Sequence, residues 1–219
     1  MAATKFKYGD AWENFPIEPG EVWGIPANGS RVAVHNIFAP LPGFMHTADL
    51  LFVDPPWNQG NLNTFYTKAG RDDYQEWQRF TAVLFQRIEE VAPATCYIDI
   101  GNQFVDAWYG RLAGMYPCVQ RWPVVYYRKH PTNIIRGGSA PIDYDFTGMD
   151  EAKAIGLIGQ IETYRVMGDL CMGQGLVGLS AWAAGRPFVG TELNQRRLAN
   201  LLQKLSKKGA DITRYEETP

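Results

Sequence analysis

Leu50-Leu51-Phe52-Val53-Asp54-Pro55-Pro56-Trp57 is the stretch on which the reading of this chain turns. Four apolar residues in succession, Leu50 to Val53, have the character of a strand buried on both faces. The two prolines that follow lack backbone N–H groups, so a central ladder cannot run through them. The strand therefore ends in a stiff cluster: the Asp54 carboxylate, the Pro55 carbonyl and the Trp57 indole. That cluster suits a planar amine with two N–H donors and a face to stack on, as the exocyclic amines of adenine and cytosine have. A plain Pro-Pro turn accounts for the prolines, but not for the Asp before them and the Trp after.

On either side of this stretch, strand-like and helix-like segments alternate. Residues 1–30, rich in Pro, Gly and aromatics without a period, are expected as an extended arm packed on the core. Residues 31–35 read as a short strand, and 46–53 lead into the strand above. Between 72 and 88, apolar residues fall at 77, 80, 84, 85 and 88, the spacing of one helix face, with acidic residues at the start where the helix dipole favours them. Residues 95–100 read as a buried strand, 104–113 as a helix and 121–128 as a strand. Residues 130–150 carry Pro, Gly, Asn and Asp at turn density and are expected as a loop. Helices over 150–163, 176–184 and 195–207 alternate with strands over 164–169 and 187–192. The pattern predicts an α/β fold of a single domain, 1–219, with a mostly parallel sheet and helices on both faces.

A second segment carries chemistry. Asp169-Leu170-Cys171-Met172-Gly173-Gln174-Gly175 follows a strand and opens a helix, and Glu192 ends the next strand, 19 residues after Gly173. Glycines in such a turn let a ligand approach the backbone, and an acid about 20 residues on accepts hydrogen bonds from ribose hydroxyls. Gly178 completes the Gly-x-Gly-x-x-Gly spacing, but no second half for a dinucleotide is evident. A mononucleoside-like cofactor fits better, and a tight strand-to-helix turn without a ligand is the plainer alternative.

The composition narrows the classes. The chain has 219 residues, 46% of them hydrophobic, enough for one sizeable core. No apolar run of about 18 residues offers a membrane span, and Met1 to Lys7 has no signal-peptide stretch, so a cytoplasmic location is expected. Cys96, Cys118 and Cys171 are scattered and only three histidines accompany them, so no metal site is expected. A net charge of −2 argues against coating nucleic acid by charge alone. Two basic stretches remain: Arg121, Arg128, Lys129, His130 and Arg136, and then Arg196, Arg197, Lys204, Lys207 and Lys208. The second reads first as the solvated side of a helix.

Together the two segments resemble the S-adenosylmethionine-dependent amino-group DNA methyltransferases in their permuted order, with the catalytic segment first. The catalytic signature is 51–58 with Asp73-Tyr74-Gln75-Glu76-Trp77 after it. The cofactor signature is 168–175 with 185–194, and His130-Pro131-Thr132 resembles the segment before the family's remaining helix. The likeness spans most of 31–208. The chain departs from the pattern at Leu170 and Cys171, where Pro and Phe are usual, at Gln174, and in lacking Lys-Pro after His130-Pro131-Thr132.

The resemblance implies a Rossmann-like methyltransferase fold and methyl transfer to the N6 amine of adenine in DNA, as in restriction-modification systems. Asp54, Pro55, Pro56 and Trp57 would form the catalytic corner; Asp169, Cys171, Gly173, Gly175, Glu192 and Asn194 would hold the cofactor. Adenine is preferred to cytosine N4 because the cytosine enzymes more often resemble Ser-Pro-Pro-aromatic. RNA adenine methylation and an inactive nucleic-acid-binding partner subunit are the alternatives. No separate target-recognition domain fits; only the 130–150 loop is free to read sequence. A homodimer or a partner subunit is therefore expected to help hold DNA.

Overall fold

Leu50–Val53 is a strand with all four residues buried, as its unbroken apolar run requires. The computed structural model describes residues 9–126 and 129–216. In chain order the elements are α1 (Ala11–Asn14), β1 (Val22–Ile25), β2 (Ser30–Val34), β3 (Leu50–Val53), α2 (Gln59–Lys68), α3 (Trp77–Val91), β4 (Thr95–Gly101), α4 (Val105–Met115), β5 (Cys118–Tyr126), β6 (His130–Gly138), α5 (Glu151–Ile161), β7 (Met167–Asp169), α6 (Leu176–Ala183), β8 (Phe188–Glu192), α7 (Gln195–Lys207) and β9 (Thr213–Tyr215). Among the described residues, no helix is long and apolar enough to cross a membrane.

The strands form one nine-stranded sheet in the order β5-β6-β4-β3-β7-β8-β2-β1-β9. Its centre, from β4 to β2, is parallel. Both edges are antiparallel, so a mostly parallel sheet describes the middle five strands and not the whole. Alternate residues of each strand feed the two faces. Leu50 and Phe52 join a core under α1, α5, α6 and α7, while Leu51 and Val53 join one under α2, α3 and α4.

Several expectations are corrected. Residues 9–30 do pack on the core, Ala11 and Ile17 being fully buried, but as α1 and a strand β1 paired with β2 and β9 rather than as an extended arm; residues 1–8 lie outside the described residues. The expected helix over 72–88 begins only at Trp77. Gln59 Oε1 accepts the Trp77 N–H at 2.8 Å, and Asp73 pairs with Arg71 instead of capping a helix. The expected loop over 130–150 begins as β6, a strand between β5 and β4. Its glycines are there for close approach, not for turning: a Cβ on Gly137 would lie 2.3 Å from the Tyr116 ring. Only 139–150 remain irregular. Of the first basic stretch, Arg136 is buried and pairs with Glu162, Arg121 pairs with Asp106, and Arg128 lies outside the described residues. The stretch therefore does not make one basic face.

Two contacts bring β3 and β7 into register. The Asp49 carboxylate accepts the backbone N–H groups of Arg165 and Val166, each at 2.9 Å, tying the starts of the two strands together. Leu51 then pairs with Gly168, where a Cβ would come within 2.5 Å of Leu51 Cδ2 and 2.7 Å of Ala48 Cβ. The strands thus rise side by side and present Asp54 and Asp169 at the same carboxyl edge. Gly168→Ala should lower the unfolding free energy by about 1–3 kcal/mol through overpacking, read as a shift in the urea midpoint at constant slope.

Candidate active site

The chain leaves β3 toward β4 on one side and later leaves β7 toward β8 on the other. The β3–β7 boundary is therefore a topological switch point, where open α/β sheets bind ligands beyond the strand ends. A cavity lies there, lined by Asp54, Pro56, Asp169, Cys171, Gly173 and Glu192 of the expected site. The two segments singled out in the sequence, 115 positions apart (169 − 54), both reach this cavity. Pro55, Trp57, Gly175 and Asn194 do not line it.

At the catalytic corner, the Trp57 indole N–H donates to Asp54 Oδ1 at 3.1 Å. The Trp57 ring meets Tyr126 edge-on at 5.0 Å and packs against Gly101, where a Cβ would lie 3.2 Å from the indole. The ring is thus folded back over Asp54. The turn itself is pinned by Trp77, whose indole N–H donates to the Pro56 carbonyl at 3.1 Å, and by Asn58, which caps α2. Burial pushes Asp54 up to about 7, opposed by hydrogen bonds from Trp57 and Tyr126 and by the Arg197 charge.

At the cofactor corner, Gly173 and Gly175 take φ of +53° and +77°, a region that costs other residues strain. A Cβ on Gly175 would also strike Leu201 at 2.5 Å. Asp169 Oδ1 accepts the Cys171 N–H at 2.9 Å, and Glu192 accepts the Gly173 N–H at 2.6 Å and the Asn194 N–H at 2.8 Å. Glu192 thereby ties the glycine turn to the end of β8 and keeps lone pairs for a ligand. Burial raises the carboxyls of Asp169 and Glu192, and the Cys171 thiol is raised by burial and then by those carboxylates. That thiol is no nucleophile. Asn194 caps α7, its Oδ1 accepting the Arg196 N–H at 3.0 Å, and its amide donates to the Lys68 carbonyl at 2.8 Å.

Three residues that sequence reasoning missed belong to the site, two in the cavity wall and one behind it. Glu151, whose acidity reads as an ordinary first-turn residue, lines the cavity from α5. Arg197, expected on a solvated helix side, turns inward, lies 4.7 Å over the Phe65 ring and has a buried Nε with no partner. Behind Asp54, Asp99 on β4 is fully buried with neither oxygen hydrogen-bonded; Thr132 stands near enough to favour its charge without closing a well-aligned bond. Burial and then Asp54 hold Asp99 well above the usual carboxylate range. No periodic pattern could announce these three, since each acts across strands or helices. Among the described residues, no group of three or more His, Cys, Asp or Glu is placed to hold a metal ion.

The wall thus carries several acids and one inward arginine, a setting that favours a cationic ligand over an anionic one. The positive-φ glycine turn gives such a ligand a close backbone seat. No family model matches the chain, and no curated protein matches it. Solved structures do. TTHA0409 of Thermus thermophilus, assigned as a DNA modification methylase, is 13% identical with a TM-score of 0.57, over 82% of this chain and 95% of its own. It has also been solved with S-adenosyl-L-methionine. M1.HpyAVI is 14% identical with a TM-score of 0.51, over 80% of this chain and 97% of its own. PvuII DNA methyltransferase, cytosine-N4-specific, is 10% identical with a TM-score of 0.50, over 82% and 90%. At these identities the likeness establishes a shared Rossmann-like α/β fold.

The raised Asp54 has a consequence for stability. The folded protein keeps the Asp54 proton up to about 7, whereas the unfolded chain loses it near 3.8. Unfolding thus releases a proton in that window, and stability falls as pH rises through it. Asp54→Asn has no such proton to lose. Its stability relative to the parent should grow as pH rises from about 4 to about 7, measured by urea unfolding across that range.

Proposed function

We propose that the chain transfers a methyl group from S-adenosylmethionine to the exocyclic N6 amine of adenine in DNA. The observation that carries this reading is the shared cavity: Asp54 and Pro56 of the proline corner and Asp169, Gly173 and Glu192 of the second segment line one space at the switch point. The residues present fit the cofactor. Gly173 leaves room for close backbone approach while Gly175 shapes the turn against Leu201, Glu192 has acceptor capacity for ribose hydroxyls, and the acid-rich wall suits a positive charge. When bound, the cofactor supplies an electrophilic methyl group on a cationic sulfur.

The protein's own residues would act by positioning. An aromatic amine is a poor nucleophile because its lone pair is delocalised into the ring. Asp54 and the Pro55 carbonyl, accepting its two N–H bonds, favour a pyramidal nitrogen whose lone pair points at the methyl. Asp54 need not be a strong base, since the amine becomes acidic once methylated; its carboxylate then takes the proton. Orientation and acceptor geometry carry the rate. Trp57 would leave Asp54 and stack on the base, a contact worth about 1–3 kcal/mol. A duplex substrate must first flip the base out, at a cost of a few kcal/mol. Asp169 and the glycine turn would seat the cofactor, and Asn194 would serve through its cap on α7.

The cytosine-N4 specificity of one structural neighbour favours a second reading, N4-cytosine methylation. Adenine is preferred because Asp, not Ser, precedes the two prolines. With β6 taking up much of 130–150, only 139–150 is irregular there, so a second copy or a partner subunit is proposed to help grip DNA.

The test combines labelled-methyl transfer with nucleoside mass analysis of the digested product. N6-methyladenine from DNA is expected, N4-methylcytosine would replace the adenine assignment, and product from RNA alone would move the substrate. Asp54→Ala should reduce transfer to background while calorimetry still detects cofactor binding; intact transfer would remove Asp54 from the chemistry. Gly175→Ala should weaken cofactor binding about tenfold or more, since positive φ and the Leu201 contact both resist a Cβ.

A further inference from the structure

Glu151 opens α5, is 7% exposed and lines the cavity. The other carboxylates of the cavity are already engaged: Asp54 by Trp57, Asp169 by Cys171, and Glu192 by Gly173 and Asn194. Among the described residues, no hydrogen bond or ion pair engages the Glu151 carboxyl. The residue is more than nine-tenths buried, so its carboxyl has the cavity to face, and an acceptor there without a protein partner points to a ligand.

The surroundings decide what kind of ligand. The carboxyls of Asp54 at the end of β3, Asp99 on β4, Asp169 on β7 and the helix cap Asp150 all oppose ionisation of Glu151. From α7, Arg197 lines the cavity as a cation, and the remaining titratable groups of the lining are the Tyr126 phenol from β5, Tyr66 from α2, Cys171, His35 and Glu192. An anion is disfavoured there; a compact cation with several N–H donors is suited. Among the groups of S-adenosylmethionine, the adenine is neutral, the ribose hydroxyls fall to Glu192, and the sulfonium has no N–H to donate. The α-ammonium has both the charge and the donors.

The geometry points to Glu151 as the acceptor of the cofactor's α-ammonium group, releasing a proton as that group arrives. This rests on the methyltransferase reading above. Burial, reinforced by Asp54, Asp99, Asp150 and Asp169, pushes the Glu151 carboxyl up to about 9, so it holds its proton at neutral pH before loading. On loading, the carboxyl O–H bond breaks, the proton passes to water and buffer, and an ammonium N–H donates to the resulting carboxylate. Affinity therefore rises with pH until the cofactor's own α-ammonium begins to lose its proton, at about 8, and levels off above that.

Titration calorimetry near neutral pH, in two buffers of different ionisation enthalpy, tests this with S-adenosylmethionine, S-adenosylhomocysteine and 5′-methylthioadenosine. The last lacks the ammonium. The first two should bind Glu151→Gln about ten- to hundredfold more weakly than the parent, with fewer protons released. Methylthioadenosine should bind both forms equally. Unchanged affinity and proton count in Glu151→Gln, with S-adenosylmethionine still bound, would overturn the Glu151 assignment alone. A parent protein that binds none of the three would overturn the methyltransferase reading and this inference together. Should the variant not fold, the parent suffices: near neutral pH, S-adenosylmethionine and S-adenosylhomocysteine releasing no more protons than methylthioadenosine overturns the inference, and an excess release supports it.

Discussion

The close packing of β3 on β7 governs everything at the carboxyl edge of the sheet. It needs a glycine at 168 because Leu51 and Ala48 fill the space that a side chain would take. It also needs Asp49, which holds the first N–H groups of the second strand's approach and so sets the register. With that register in place, a proline-stiffened turn and a glycine turn emerge side by side at one sheet edge. Each corner alone is a common local structure. Their meeting makes the cavity.

Buried carboxyls gather in and behind the cavity. Asp54, Asp99, Glu151, Asp169 and Glu192 all have raised carboxyl pKa, with burial the largest cause in each. Like charges in a low dielectric cannot all ionise, so the group holds protons that a cationic ligand would displace. Arg197 moderates the arrangement from α7 by favouring ionised Asp54 and Glu192. The same electrostatics that would receive a positive cofactor would hold a neutral product less firmly.

Much of the edge architecture was hard to read along the chain, for identifiable reasons. β6 resembles a loop because Pro131, Asn133, Gly137 and Gly138 are turn residues by local preference. Pro131 sits beyond the end of β4 and Gly137 makes way for Tyr116, so neither breaks the ladder. α3 starts late because a side chain from α2 supplies its cap. Arg197 resembles a solvated residue because its neighbours on α7 are basic, whereas Phe65 draws it inward. Each case is a tertiary contact overriding local preference.

The features legible along the chain are those that depend on adjacent residues. These are the strand halted by two prolines, the positive-φ glycine turn after Asp169, the acid ending the next strand, and the alternation of strands and helices. Local sterics and missing N–H donors settle them whatever the rest of the chain does. Folding in three dimensions was needed to make β3 and β7 neighbours, to turn Glu151 and Arg197 toward the same space, and to set Asp99 behind Asp54. Those facts depend on register, burial and charges brought together across more than a hundred residues, and no window along the chain contains them.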